Sequence, residues 1–548
     1  MQAYVADAGP LVRALCDQLE LVRIIDDACD WDPLRSKLSP GERILALILS
    51  MFMRQRPLYR VHESFRRADV QLLLGRGVTI DDLHDDGFGQ ALDKLFDAGA
   101  AGVFGALCAR TLILEDVQHD FVHWDSTSRS LFGDYQSDQP QPLITFGHSK
   151  DHRPDLKQIM LHVLANREGM PLWGGVEPGN SSDKKLNGEM IDQIRLLFAP
   201  ESLASMTYVA DSAFVTKANL AKANTAGMGI LSRLPETFAA GASVKHKAFA
   251  DDNWQDIGRV AVRRQASSYQ ASEQEAEVDG VRYRLVVYRS SHLEKRKEHS
   301  LKRDLEKERA ALADKAREMF QGPFTCREDA EARGHAWLKL GASALHPMSF
   351  VIREEQVRDK RPTRGRPKKG DQPTYHTDYR VDATIGDPRA DLVEKERQRR
   401  SAFVLITTIG RDRMAARALL QEYKQQGSIE RRFAFMKDRE IVDSFFLKKP
   451  ERVEALGYVL LMVVLLFSVL ERRVRQAGIP LPTLSRGELA NPTGLEILRN
   501  LSVSVIELDD GQRHLSVHTG FDRAFDAILT MARVDKRVYT ELRPRSTA

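Results

Sequence analysis

Over roughly the first 115 residues, apolar positions recur at spacings of three and four. Leu11 to Asp27, Pro40 to Arg54, Tyr59 to Ala68 and Gly89 to Leu112 are expected as helices, separated by Pro33, Pro40, Pro57 and Gly-rich breaks. From His119 the pattern changes to strands alternating with helices. Phe121-Val-His-Trp-Asp-Ser-Thr127 leads bulky and β-branched residues into one carboxylate and then into small hydroxylated residues, which predicts a strand delivering Asp125 to the edge of a sheet. Gln158 to Ala165 reads as a second strand and Pro171 to Glu177 as its hairpin partner. Asp183 to Ala199 follows as a helix with Leu186, Met190, Ile194 and Leu197 on one face. Met206-Thr-Tyr-Val-Ala-Asp-Ser212 is again an apolar strand closing on an acid, Asp211. Phe214 to Asn224 is the helix behind it, and Met228 to Arg233 is a fifth strand.

Between Pro235 and Ser401 the character differs. Val281 to Tyr288 alternates as a strand, Ser291 to Phe320 is a highly charged helix, and Phe403 to Thr408 is a strand returning to the core. The charged helix mixes Lys and Arg with Glu and Asp, as a solvated face held by i to i+4 pairs does. Arg411 to Glu440 is expected to be helical. Tyr423, Glu430 and Lys437 recur every seven residues there, so all three line one stripe with Gln426 beside them. Ile429, Phe433 and Met436 form an apolar stripe, while Arg431, Arg432 and Arg439 point the other way. Ala455 to Leu470 carries no charge, but it is shorter than the roughly 20 residues a bilayer needs and contains Gly457, Tyr458 and Ser468, so a buried helix against a sheet is expected.

Composition narrows the function classes. Charged residues are 29% and hydrophobic residues 42% of 548, as in a soluble globular protein of two to four domains. A net charge of +4 and a pI of about 8.7 are too mild to demonstrate a polyanion partner, so local basic clusters must carry that case. Cys16, Cys29, Cys108 and Cys326 form no CxxC pair, which speaks against zinc and disulfide scaffolds and fits a reducing cytoplasm. No export signal is visible. Arg361-Pro-Thr-Arg-Gly-Arg-Pro-Lys-Lys-Gly370 is a proline-interrupted basic loop whose Arg364-Gly-Arg366-Pro resembles an AT-hook core, with Lys368 next to it. Phosphate contact is its favoured role and a disordered basic linker the alternative. Arg54, Arg56, Arg60, Arg66 and Arg67 fit equally a helix docked in a DNA groove and a solvated helical cap.

The order β-β-β-α-β-α-β, with Asp125 and Asp211 closing the first and fourth strands, resembles the ribonuclease H-like topology, in which those strands are neighbours. With Glu430 as third acid, the chain resembles DDE transposases of bacterial insertion sequences. It is similar to the group with a β-rich insertion before the catalytic Glu and a Tyr-x2-Arg-x3-Glu-x6-Lys signature, the IS-sixteen-thirty-four-like branch of the IS-four superfamily. Tyr423 and Lys437 match that signature; Gln426 stands where the family has Arg, with Lys424 and Arg431 nearby. Gly147-His-Ser-Lys-Asp-His-Arg-Pro-Asp-Leu-Lys157 and Asp211-Ser-Ala-Phe214 also resemble the branch with a helical N-terminal region. The resemblance spans roughly residues 1 to 485.

The resemblance implies an α/β fold: a ribonuclease H-like catalytic core, a mixed sheet flanked by helices, interrupted by a β-rich and helical insertion and preceded by an N-terminal helical domain. The expected divisions are 1–115, helical; 116–237, first part of the core; 238–401, insertion; 402–482, second part of the core; and 483–548, C-terminal region. It implies metal ligation by Asp125, Asp211 and Glu430, with two Mg²⁺ ions and Mn²⁺ as a substitute. Hard cations favour such oxygen donors, and two ions can activate the attacking oxygen and stabilise the leaving one. Tyr423, Gln426 and Lys437, with Arg364, Arg366 and Lys368, would contact DNA. The implied partners are double-stranded DNA, as inverted-repeat ends and target, and a second copy of the chain when two ends are paired; no membrane is involved. Two alternatives stay open: a catalytically inactive DNA-binding regulator with this fold, and a ribonuclease H-like nuclease that cuts without joining. His123 and Trp124 are expected in the core. His148 and His152 are placed in a loop, solvated or on phosphate.

Overall fold

The computed structural model describes residues 1–53, 60–137, 140, 142–149, 153–260, 267–360, 372–425, 447–483 and 487–542. The chain divides into two compact units, one of Met1–Ser232 with Leu420–Ala548 and one of Arg233–Leu419.

In the first unit, strand β1 (Gln2–Val5) opens a stretch expected to be helical. It pairs antiparallel with Val503–Glu507, which pairs in turn with Arg513–Val517, so the start of the chain completes a small sheet built by its end. Helices follow at Gly9–Gln18 and Leu21–Ala28 where one was expected, because Glu20 breaks the run in the left-handed region with φ 57°. The expected helix from Gly89 to Leu112 is likewise two, Asp85–Asp97 and Ala100–Glu115, separated at Gly99 with φ 79°, where the lack of a Cβ permits the turn. Pro40–Met53 forms as expected. Of the stretch from Tyr59 to Ala68, only Val61–Ser64 is α-helical among the described residues.

The sheet of this unit contains β2 (Phe121–Ser130), β3 (Gln158–Asn166), β4 (Pro171–Pro178), β5 (Thr207–Ala210) and β6 (Gly229–Arg233), in the order β4-β3-β2-β5-β6. β2, β3 and β4 form an antiparallel meander, and β5 and β6 add parallel to β2. Every residue of β3 is buried, which explains its near-continuous apolar run. The helices Asp183–Leu197 and Lys217–Thr225 connect β4 to β5 and β5 to β6.

The charge-free segment lies inside a longer helix, Pro450–Gln476, of 27 residues and about 40 Å. By length and composition it could cross a membrane, but 94% of its most apolar stretch is buried within the protein. Gly457 lets it approach the sheet, since a Cβ there would lie 2.7 Å from Val176 Cγ2. At its C-terminal end Arg473 donates to Glu115 Oε1 at 2.9 and 2.6 Å, to Gln18 Oε1 at 2.6 Å and to the Ala532 carbonyl at 2.7 Å. One guanidinium thus joins the last turn of this helix to three other segments, and both charges are almost fully buried.

The second unit has its own antiparallel strands. β7 (Gln255–Arg259), β8 (Ser268–Val278) and β9 (Val281–Ser290) precede a separate hairpin of β10 (Met348–Arg358) and β11 (Tyr375–Ile385), and β12 (Ala402–Thr407) pairs with β9. Asp279 and Gly280, with φ 55° and 81°, make the two-residue turn between β8 and β9 that left-handed positions favour. The charged helix Ser291–Met319 forms as expected, and Arg327–Leu340 packs on it through Trp337, which is fully buried with its ring edge to Phe320 at 5.8 Å. Buried Arg284 pairs with Glu273 at 2.9 Å and donates to the carbonyls of Ile409, Gly410 and Met414. The helix Ala390–Ser401 carries Glu396, which accepts from Arg399 and Arg400.

Two expectations follow. Glu115→Ala strands the buried Arg473 charge and should cost about 3 to 5 kcal/mol, read as a lower urea midpoint, whereas Asp526→Ala, which removes an exposed pair with Lys536, should cost less than about 1 kcal/mol. Hydrogen bonding from Arg399, aided by Arg400, holds the Glu396 carboxyl down at about 2. Its stabilisation is therefore present above the usual carboxylate range and is lost as pH falls through about 2; Glu396→Gln should flatten that part of the acid-unfolding profile of the full chain.

Candidate active site

β2 and β5 run parallel with Phe121 against Thr207, Val122 against Tyr208 and His123 against Val209. Carrying this register on by two residues sets Asp125 beside Asp211, on strands about 4.8 Å apart. The expectation that Asp125 ends its strand needs correction, because β2 continues to Ser130 through antiparallel pairing with β3. What ends at this level is β5, whose last residue is Ala210, so Asp125 occupies the point where β2 outruns its parallel neighbour. Asp125 is half-buried and Asp211 is exposed.

Local hydrogen bonds aim each acid. The Ser126 amide donates to Asp125 Oδ1 at 2.8 Å, and the Ser126 hydroxyl turns the other way to Asp183 Oδ1 at 2.7 Å. Asp211 Oδ1 accepts from the Ala213 amide at 3.0 Å, an Asx-type turn, while its carbonyl accepts from the Ser232 hydroxyl at 2.8 Å. Beneath it Tyr208 is fully buried, edge-on to Phe214, and donates to Asn187 Oδ1 at 2.8 Å. Burial first, and then the negative charge of Asp211, push the Tyr208 phenol well above its ordinary range.

His123 and Trp124 lie in the core as expected, but His123 has a specific partner. Its Nε2 donates to Glu422 Oε1 at 2.9 Å, and Arg167 Nη2 lies 3.4 Å from Glu422 Oε2 with its guanidinium over the Phe121 ring. Glu422 belongs to the helix Ala416–Lys424, the described part of the helix expected from Arg411; Arg411 to Arg413 form a turn instead. Tyr423, the next residue, is half-buried. Gln426, Glu430 and Lys437 lie outside the described residues, as do His152 and Arg364, Arg366 and Lys368, which fall between β10 and β11. His148 is exposed, and Gly147 before it is packed so closely that a Cβ would meet the Gly179 carbonyl at 1.9 Å.

Extended by two residues, the β2–β5 register sets Asp125 level with Asp211, while the third expected acid lies outside the described residues. A carboxylate on β2 and one just past the end of β5 supply hard oxygen donors of the kind Mg²⁺ or Mn²⁺ takes, and so fit as two ligands of such an ion. Among the described residues no group of three His, Cys, Asp or Glu side chains gathers into a metal site. Glu422 is close to β2 but is held by His123 and Arg167. Sequence reasoning missed Glu422 and Arg167. The one signal was His123 itself, a polar residue inside an apolar strand that needs a partner.

A family model described as a transposase DDE domain matches residues 119–466, and one described as a domain of unknown function (DUF4277) matches residues 2–109. No curated protein matches the chain. The first of these models covers well over half of the sequence and takes in both aligned aspartates: the chain belongs to the DDE transposase family.

Proposed function

We propose that this transposase belongs to a bacterial insertion sequence, cuts DNA at the inverted-repeat ends of its element and joins the freed 3′ end to target DNA, with Asp125, Asp211 and Glu430 as the metal-binding triad. The observation that supports this most directly is the parallel register of β2 and β5, which, carried on by two residues, would set Asp125 beside Asp211. The order β4-β3-β2-β5-β6 supports a ribonuclease H-like core, and the division of the chain that sets Arg233–Leu419 apart supports reading that unit as an insertion. The signature Tyr423, Gln426, Glu430 and Lys437 supports the group named for Tyr, Arg, Glu and Lys, with Gln in the Arg place.

In this proposal Asp125, anchored on a strand paired on both sides up to His123, and Asp211, fixed by the turn at Ala213, hold Mg²⁺ together with Glu430. Bound Mg²⁺ supplies activation of the attacking oxygen and neutralisation of the leaving one. Tyr423 positions the strand end by stacking or through its hydroxyl, and Lys437 holds a terminal phosphate as a point charge. Arg364, Arg366 and Lys368 add phosphate contacts that salt should weaken. The protein acts as a dimer that pairs two ends, in the bacterial cytoplasm.

The test is cleavage of linear DNA carrying the sequences that flank the gene, with Mg²⁺. Wild type should nick at an inverted repeat and yield strand-transfer products, and Asp125→Asn and Glu430→Gln should each lower the rate by roughly 10²-fold or more. Binding without cleavage in Mg²⁺ and Mn²⁺ would favour the inactive regulator; cleavage without joining would favour the nuclease. A second expectation needs no DNA. Mn²⁺ at 100 times its Kd should stabilise wild type by about 2.7 kcal/mol, and Asp125→Asn and Asp211→Asn should lose that gain while unfolding in chelator no earlier than wild type, because each relieves repulsion between adjacent carboxylates.

A further inference from the structure

His123 and Asp125 are two residues apart on β2, so their side chains leave the same side of the strand about 7 Å from each other. Glu422 and Tyr423 are neighbours on the helix Ala416–Lys424. The contact from His123 Nε2 to Glu422 Oε1 therefore ties the strand of one proposed site residue to the helical turn of another. It is closed to water: the His123 side chain is 1% exposed and that of Glu422 6%. Both carboxylate oxygens are engaged, since Arg167 stands 3.4 Å from Oε2, and Arg167 is in turn seated 4.5 Å over the Phe121 ring at the start of the same strand.

A buried pair of ionisable side chains is a poor way to gain stability, because taking both out of water costs much of what their attraction returns, and apolar replacements of similar volume are often at least as stable. What such a pair can supply instead is a unique arrangement. A helix that slips by one residue advances about 1.5 Å and turns about 100°, which would carry Glu422 away from His123 and present Gln421 or Tyr423 in its place. Apolar packing tolerates small slips of this kind; a buried hydrogen bond to one carboxylate oxygen, with an ion pair to the other, tolerates them less.

We infer that His123 and Glu422 are positioning residues: their contact fixes the axial register and rotational phase of the Tyr423 helix against β2, so that a DNA end held by Tyr423 is aligned with Asp125. The inference rests on the proposed roles of Asp125 and Tyr423. Misplacement of a reacting group by about 1 Å can cost on the order of 10²-fold in rate, which sets the size of effect to expect.

The experiment compares full-length wild type, the apolar pair His123→Leu with Glu422→Leu, Glu422→Ala, and Glu422→Gln, which keeps an oxygen to accept from His123. Each is measured for thermal midpoint, affinity for an end-bearing duplex, cleavage rate, and the ¹⁹F resonance of 3-fluorotyrosine placed at position 423. The apolar pair should fold with a midpoint at or above that of wild type, bind the duplex within about threefold, cut at least tenfold more slowly, and show a shifted or broadened ¹⁹F signal. Glu422→Gln should restore rate and signal to near those of wild type. An apolar pair that cuts as wild type does overturns the inference. Should that variant not fold, equal rate loss in Glu422→Gln and Glu422→Ala overturns it instead. If wild type itself does not cut, the catalytic reading fails on its own, and the ¹⁹F comparison still decides whether the pair sets Tyr423.

Discussion

The parallel pairing of Phe121–His123 with Thr207–Val209 is the constraint on which the site depends. Strand side chains alternate with a period of two, so a slip of one residue in either strand would turn one aspartate to the opposite face of the sheet. The register is guarded by burial. All four residues of β5 are buried, and Tyr208 fills its place with a fully enclosed ring whose hydroxyl needs Asn187. Shifting β5 would break that bond and expose apolar surface together, so the site is held by its foundation and not by the acids, which left alone repel each other.

The same logic governs the long apolar helix. Pro450–Gln476 is buried along most of its length, yet both ends carry charge that must be satisfied. Near its start Arg452 makes a bidentate pair with Asp93 at 2.7 and 2.6 Å, beside Gly89, where a Cβ would collide with the guanidinium. Near its end Arg473 is enclosed by Glu115, Gln18 and the Ala532 carbonyl. Apolar burial supplies the affinity of helix for core, and Arg473 sets its axial position, since a sliding helix would leave that buried charge without its partner; Arg452, partly exposed, adds a bidentate contact at the other end.

Much of this was legible in one dimension. The strands after His119 and the helices between them were readable because alternation, apolar runs and small polar breaks are local signals, and strands ending near an acid located Asp125 and Asp211. The break at Glu20 was not readable, because a non-glycine residue in the left-handed region leaves no compositional mark. The pairing of Gln2–Val5 with Val503–Glu507 was invisible because four residues carry no period and the partner lies at the other end of the chain. His123 could be marked as a polar residue in an apolar strand, but no rule of spacing leads from it to Glu422. The extension of β2 past Asp125 was missed for a related reason: apart from Thr127, Ser126 to Ser130 carry no β-branched or aromatic residue, and their conformation is imposed by β3.

Charge illustrates how a whole-chain sum conceals local design. The hairpin of β10 and β11 has Arg353 paired with Asp382 and Arg380 with Glu355 across its strands, and Arg327 from a neighbouring helix paired with Glu354. Such exposed pairs add little stability, and they run diagonally: in register Arg353 faces Arg380 and Glu355 faces Asp378, so each arginine reaches an acid two residues along the opposite strand. The sequence joining those strands is of another kind: Arg361, Arg364, Arg366, Lys368 and Lys369 occur with no acid among residues 361 to 370. The five positive charges of that connection alone exceed the net +4 of the whole chain, so the remainder is slightly acidic in sum and the total says little about where charge lies. A polyanion responds to the local field within about a Debye length, roughly 8 to 10 Å, so the distribution matters for DNA and the total does not.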